Sequence, residues 1–188
     1  DTPFRFIVWG DSHHGVAVFQ TLVSRMTDYS PDLLLSVGDL VQRGSDYPQW
    51  RDQYFDPIRE TANRIPVFAA PGNHDYLARD NYWFAQYFSA PGHGHYFSFD
   101  YGNSHFIFVD NCDAHTRYGY RPFAVGSRQY EWLAADLQSP ESRCAAFRFA
   151  FLHVPPYSRA TWGGEEDTRR DLVPLFESHG VDLVFSGH

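Results

Sequence analysis

The stretch Leu33-Leu34-Leu35-Ser36-Val37-Gly38-Asp39 is an apolar run that ends in a glycine and a carboxylate. Such a run reads as a buried strand that delivers an acid to the edge of a sheet. The chain repeats the device. Phe6-Ile7-Val8-Trp9 runs into Gly10-Asp11, and Val67-Phe68-Ala69-Ala70 runs into Pro71-Gly72-Asn73-His74-Asp75. Phe149-Ala150-Phe151-Leu152 stops at His153, and Leu183-Val184-Phe185 leads to Ser186-Gly187-His188. One Gly-Asp carries little information. Five strand-like runs that each stop at Asp, Asn or His predict five ends converging on a two-metal site, with Asp39 at its centre.

The bulk of the chain is compatible with that reading. Its 188 residues fit one domain, taken as residues 1–188, with room for a sizeable core. Hydrophobic residues make up 43% but fall in short runs, so no membrane-length segment is present. The formal charge is −8 and the 15 cations are all arginine, a balance that argues against nucleic acid as a partner. Cys112 and Cys144 fit no zinc spacing and read as free small hydrophobes, with a disulfide between them as the alternative. The chain starts at Asp1, with no Met and no signal-like segment, and reads as processed or trimmed.

Apolar spacing predicts a helix over 15–29, then a second around Trp50, Phe55, Ile58 and Ala62 that Pro57 should kink or split. Tyr82 to Phe88 reads as a short aromatic helix or turn. Aromatic alternation on both sides of Gly102-Asn103-Ser104 predicts a β-hairpin, and hence a sheet with an antiparallel portion. Ser127 is the expected N-cap of a helix reaching Leu137, and Asp113 to Val125 reads as a loop. A last helix spans Leu172 to Phe176, with Gly180 as its cap, before the final strand.

Two divalent cations about 3.5–4 Å apart need a shared carboxylate, and Asp39 suits that bridge. Asp11 and His13 lie two residues apart on one loop and can turn toward one ion. Asn73, His153 and His188 would join Asp39 on the other. Mixed Asp, Asn and His ligation favours Fe, Mn or Zn over Ca or Mg. Asn73 taken alone also fits an Asx turn; the four other ligand-type strand ends make it a ligand.

These blocks, Asp11-Ser12-His13, Gly38-Asp39, Gly72-Asn73-His74-Asp75, His153 and Gly187-His188, resemble in order those of calcineurin-like metallophosphoesterases. The later segments, Tyr96 to Asn111 and Asp167 to His188, are most similar to bacterial relatives of the purple acid phosphatases. The resemblance implies an α/β fold, a four-layer αββα sandwich of two mixed β-sheets flanked by helices. It implies Asp11, His13 and Asp39 on one metal, and Asp39, Asn73, His153 and His188 on the other. It also implies phosphate-ester hydrolysis by a metal-bridging hydroxide, with His74 as general acid and Asp75 orienting its ring. The expected partner is a small phosphorylated substrate.

Three departures shape the expectation. Purple acid phosphatases carry a Tyr three residues after the bridging Asp, where this chain has Gln42, so His13 takes its place as ligand. Gly38-Asp39-Leu40-Val41-Gln42-Arg43-Gly44 is similar to the protein serine/threonine phosphatase block; Arg43 matches its phosphate-binding Arg, but Gln42 replaces the Asp before it, so Arg43 is a phosphate-binding candidate beside its equal reading as a solvated loop arginine. The family closes on Gly-His-x-His, whereas this chain stops at His188, so the catalytic domain is expected to be incomplete at its C-terminal end.

Among the other histidines, His14 is a candidate for substrate contact, and His93 and His95 for the cleft wall. His105 and His179 read as structural. Tyr82, Trp83, Tyr118, Tyr120, Tyr157 and Trp162 are candidates for stacking on a nucleoside or aryl leaving group. The leading expectation is a phosphomonoesterase. A phosphodiesterase acting on cyclic nucleotides or another small diester is the second reading, and a binding scaffold without turnover is the third. The resemblance to secreted phosphatases leans toward a secreted or periplasmic protein.

Overall fold

The computed structural model describes residues 2–76, 82–88, 94–112, 122–159 and 163–188. His93, Tyr118, Tyr120, Trp162 and the side chain of Tyr82 lie outside the described residues.

Strand β1 (Phe6–Trp9) leads through a 3-10 turn (Ser12–His14) into helix α1 (Val16–Thr27), which returns the chain to β2 (Leu33–Ser36). A helical stretch of three parts follows: α2 (Tyr47–Gln49), a π-helix (Trp50–Phe55) and α3 (Asp56–Ala62). Pro57 therefore neither breaks nor splits the helix. It sits in the first turn of α3, where its missing N–H is tolerated, and the wider i→i+5 winding lies just before it. Strand β3 (Val67–Ala69) completes a sheet of order β1-β2-β3.

Every pairing in that sheet is parallel, so only one of the two expected mixed sheets is mixed among the described residues. The reason lies in the connections. Each strand is followed by a helical crossover, and a crossover brings the chain back running in the same direction.

The second sheet, β4-β5-β6-β7, begins with the expected hairpin of β4 (Phe97–Tyr101) and β5 (Ser104–Phe108). Strands β6 (Phe147–Phe151) and β7 (Leu183–Phe185) then add in parallel. Short helices α4 (Asn73–Tyr76) and α5 (Tyr82–Tyr87) lie between the sheets in sequence. Ser127 caps α6 (Arg128–Asp136) as expected, its hydroxyl accepting from the Tyr130 amide at 3.2 Å. Helix α7 (Pro140–Cys144) was not anticipated, and the last helix is in fact two, α8 (Glu166–Asp171) and α9 (Val173–Ser178).

The period-two alternation of strand side chains sorts the core into three slabs. Leu33, Leu35, Phe6 and Val8 of the first sheet meet Phe97, Phe106, Phe108, Phe149 and Phe151 of the second. Their neighbours in sequence face outward. Ile7, Trp9, Leu34 and Ala69 pack with Phe19, Val23, Trp50 and Ile58 of the first helical layer. Ile107, Ala150 and Leu152 pack with Leu133, Leu137, Leu175 and Phe176 of the other. The result is the expected four-layer α-β-β-α sandwich. Cys112 and Cys144 are both free, and among the described residues no helix is long and apolar enough to cross a membrane.

Candidate metal centre

The two parallel strand ends are joined before any ligand is placed. Past β1 and β2 the chain turns into the left-handed region, with φ of 55° at Asp11, 96° at Gly38 and 56° at Asp39. Aspartate tolerates that region better than most side chains, and glycine enters it freely. The Asp11 amide donates to the Gly38 carbonyl at 3.0 Å, and the Val37 amide to the Trp9 carbonyl at 2.9 Å. A Cβ on Gly38 would lie 2.6 Å from the Gly72 nitrogen, and one on Gly72 would lie 2.1 Å from the Asp39 nitrogen. Only glycines let the β2 and β3 ends approach this closely.

One group of donors gathers around His153. Its Nε2 is 3.0 Å from Asn73 Oδ1, 3.3 Å from Asp39 Oδ2 and 3.2 Å from His188 Nδ1, and His188 Nδ1 is 2.8 Å from Asn73 Oδ1. His153 Nδ1 is 2.7 Å from the Val37 carbonyl. A carbonyl only accepts, so Nδ1 carries hydrogen and the Nε2 side is the one presented to the cluster. Burial lowers the His153 pKa, but the Asp39 carboxylate outweighs it and the net shift is upward. Asp39 responds in the opposite sense: burial pushes it up, and the hydrogen bond and charge of His153 bring it below the usual range.

The other group forms around His13. Its Nδ1 lies 3.9 Å from Asp39 Oδ2, is buried and has no hydrogen-bond partner. Burial is the chief cause of its lowered pKa, with neighbouring His74 and His14 adding to it against the pull of Asp39. A buried imidazole nitrogen without a hydrogen-bond partner, facing a carboxylate, is a donor arrangement that fits a cation. The His74 ring stacks on that of His13 at 4.3 Å, and the His74 amide donates to Asp39 Oδ1 at 2.9 Å. Potential ligand atoms of His13, Asp39 and His74 lie within 4.8 Å of one another, as do those of Asp39, His153 and His188. Asp39 belongs to both groups, as a bridging ligand must.

Asp11 was expected beside His13 and Asp39. Its carboxylate accepts from the His188 amide, at 3.1 and 3.0 Å from the two oxygens, and so faces the junction of the first and last strand ends. Asp75 departs further from expectation, because it does not touch the His74 ring. Its Oδ1 accepts from the amides of Leu40 (2.9 Å) and Val41 (3.3 Å), and its Oδ2 from those of Asp39 (3.0 Å) and Gly72 (2.8 Å). All its acceptor directions are spent on backbone. The His74 ring is held instead by the Gln42 carbonyl, 2.9 Å from Nδ1. His14 is exposed, with its ring 4.2 Å from that of His13 and 6.2 Å from that of His74.

Asn111, not among the expected site residues, proves central to the second sheet's contribution. Its Oδ1 accepts from the amides of His153 and Val154 at 3.0 Å each, and its Nδ2 donates to the Val154 carbonyl at 2.7 Å. The signal that pointed to the other strand ends was present here too, in Phe106-Ile107-Phe108-Val109-Asp110-Asn111.

Comparison with known proteins bears on this geometry. The family model for calcineurin-like phosphoesterases matches residues 4–188. Purple acid phosphatase 21 of Arabidopsis thaliana is 28% identical over 201 aligned residues, covering 99% of this chain and 44% of the relative. The chain thus spans less than half the length of that relative. A purple acid phosphatase from yellow lupin seeds superposes with a TM-score of 0.81 at 20% identity, over 100% of this chain and 38% of that one. GAP50 of Plasmodium, described as the anchor in the inner membrane complex, gives 0.74 at 20% identity, over 98% and 65%. Those two likenesses speak for the fold alone. With the family model matched over nearly its full length, and its His, Asp and Asn donors suited to the Fe, Mn or Zn pair of such proteins, this chain belongs to the calcineurin-like phosphoesterases.

Proposed function

We propose that residues 1–188 form the catalytic domain of a phosphomonoesterase, with Asp11, His13, Asp39, Asn73, His153 and His188 as metal ligands and His74 as general acid. The observation that carries the reading is the setting of His74, stacked on His13 and joined through its amide to Asp39. Two bound cations would supply Lewis acidity toward the phosphoryl oxygens and an activated water.

The chain's own residues supply the rest. Because the Gln42 carbonyl fixes hydrogen on His74 Nδ1, Nε2 is the nitrogen that gains and gives the proton. A leaving alkoxide next to Nε2 would take that proton as its bond to phosphorus breaks, leaving a neutral imidazole; a solvent proton regenerates the imidazolium, whose Nδ1 hydrogen stays on the same carbonyl. Arg43 stands between two residues bonded to His74, since the Gly44 amide donates to the His74 carbonyl at 2.8 Å. Its side chain is exposed and has no ion-pair partner among the described residues, which suits it to the substrate phosphate. His14, whose ring centre lies 6.2 Å from that of His74, would contact the leaving group. Asp75 acts through the backbone it holds.

The fold also hosts proteins described as anchors, as GAP50 is, so fold likeness alone cannot decide between enzyme and scaffold. The presence of His74 favours the enzyme. The deciding assay compares p-nitrophenyl phosphate with bis(p-nitrophenyl) phosphate, using Mn²⁺-loaded protein. Preference for the monoester is the expected result. Preference for the diester replaces this reading with a phosphodiesterase, and metal binding without turnover of either replaces it with a scaffold.

A further inference from the structure

A cavity of about 390 Å³ opens beside the loop that leaves His153, lined by Tyr157, Ser158, Arg159 and Arg169. Tyr157 follows His153 by four residues, so their Cα atoms are at most about 14 Å apart. The backbone between them is tied down. Asn111 holds the amides of His153 and Val154, the Glu165 amide donates to the Pro155 carbonyl at 2.9 Å, and Arg169 Nη1 donates to the Pro156 carbonyl at 2.8 Å. The Arg169 guanidinium carbon also lies 5.6 Å from the centre of the Tyr157 ring, within cation–π range.

The charge in this cavity is unusual for the chain. Its formal net charge is −8, and three acids next to Arg169 in sequence, Glu165, Asp167 and Asp171, are engaged elsewhere. Glu165 accepts from the Asp167 amide at 3.3 Å, and Arg170 pairs with Asp167 and Asp171. Among the described residues, neither Arg159 nor Arg169 faces a carboxylate. Arg159 is exposed, and the only hydrogen bond Arg169 makes there, to the Pro156 carbonyl, leaves its positive charge unneutralised. Two guanidinium forks, Arg159 on the loop after His153 and Arg169 on α8, line one cavity and match a phosphate group, which accepts paired N–H donors.

We infer that this cavity is a second anion subsite, and that the substrate is a doubly phosphorylated small molecule. One phosphate reacts beside His74 while the other is gripped by Arg159 and Arg169. The inference rests on the phosphatase reading above and narrows its substrate class.

The test uses fructose 1,6-bisphosphate and fructose 6-phosphate as a matched pair, with p-nitrophenyl phosphate as a control for turnover. The full chain is compared with the double variant Arg159→Gln/Arg169→Gln, which keeps a donor for the Pro156 carbonyl. The ratio of kcat/KM for the bisphosphate over the monophosphate should fall about tenfold or more in the variant, the loss expected of one or two charge-assisted hydrogen bonds. An unchanged ratio overturns the subsite. If p-nitrophenyl phosphate is not hydrolysed by the parent, the phosphatase reading fails on its own, and calorimetry of fructose 1,6-bisphosphate binding then decides the subsite. Weaker binding by the variant supports it, and equal binding overturns it.

Discussion

Replacing Asp75 by Asn separates a structural carboxylate from a catalytic one. The substitution keeps the shape of the side chain and exchanges one acceptor oxygen for an NH₂ donor. In the parent, each oxygen accepts from two amides, Leu40 and Val41 on one side, Asp39 and Gly72 on the other. Whichever oxygen the NH₂ group replaces, two buried amides face a donor. Each unsatisfied donor costs about 1–3 kcal/mol, or about 2–6 kcal/mol for the pair. One effect runs the other way. Burial, then the charge of Asp39, push the Asp75 pKa upward to about 7, so removing the charge relieves some repulsion. That relief is limited, because His153 already counters the Asp39 charge, whereas the four amides have no other hydrogen bond among the described residues. The net expectation is a loss of about 2 kcal/mol or more at pH 7, read from urea denaturation as a lower midpoint at unchanged slope. Metal affinity should fall with it, since the Asp39 and Gly72 backbone is what Asp75 holds. A variant as stable as the parent, with only its turnover reduced, would refute this account and return Asp75 to the role of orienting His74.

Three further outcomes are expected. His74→Ala should leave metal content intact and lower the catalytic rate by about 10²–10⁴-fold, the usual reach of general acid catalysis; unchanged turnover removes His74 from the mechanism. Asp39→Asn should weaken binding of both metals together, measured by elemental analysis after dialysis, and loss of only one argues against a shared ligand. His105, whose ring nitrogens lie 2.7 Å from Asp100 and 3.0 Å from Asp136, should make stability pH-dependent. Burial opposes its charge, but the two carboxylates prevail and raise its pKa above the unfolded value. Its contribution is therefore complete below about pH 6.5 and is lost as pH rises through the elevated folded value. His105→Gln should flatten the stability profile over that window, and a profile that keeps its slope rules the network out as the cause.

What was legible in the sequence was whatever a side chain announces by type and period. The alternation of Leu33, Leu34 and Leu35 between two core slabs follows from strand geometry, and so does the arrival of Asp39, Asn73, His153 and His188 at neighbouring strand ends. What was not legible depends on backbone groups, which look alike at every position. The Gln42 carbonyl that orients His74 and the Val37 carbonyl that orients His153 carry no signature in their side chains. Asp75 misled for the same reason: a carboxylate beside a histidine in sequence suggests a pair, yet in a four-residue helix the next side chain points away, and four amides were the stronger claim. Gly38 and Gly72 were visible as residues, but that each clears the other's strand end is a fact of the fold.

The centre belongs to neither sheet alone. Asp39 and Asn73 come from the ends of β2 and β3, His153 and His188 from the ends of β6 and β7. Two kinds of link among the described residues help to hold these pairs in register. One is the slab of phenylalanines between the sheets, where Phe106, Phe108, Phe149 and Phe151 meet Phe6, Leu33 and Leu35. The other is a set of polar ties at the rim, among them His153 to the Val37 carbonyl, the His188 amide to Asp11 and the Cys112 thiol to the Pro71 carbonyl. A slab packed at the density of a protein interior moves little, so the sheets carry their donors to within hydrogen-bond distance of one another. Cations bound between Asp39 and His153 would add a third link of the same kind. A metal pair held there would double as a clasp between the sheets, and changes at Asp39 or His153 should then register in stability as well as in rate.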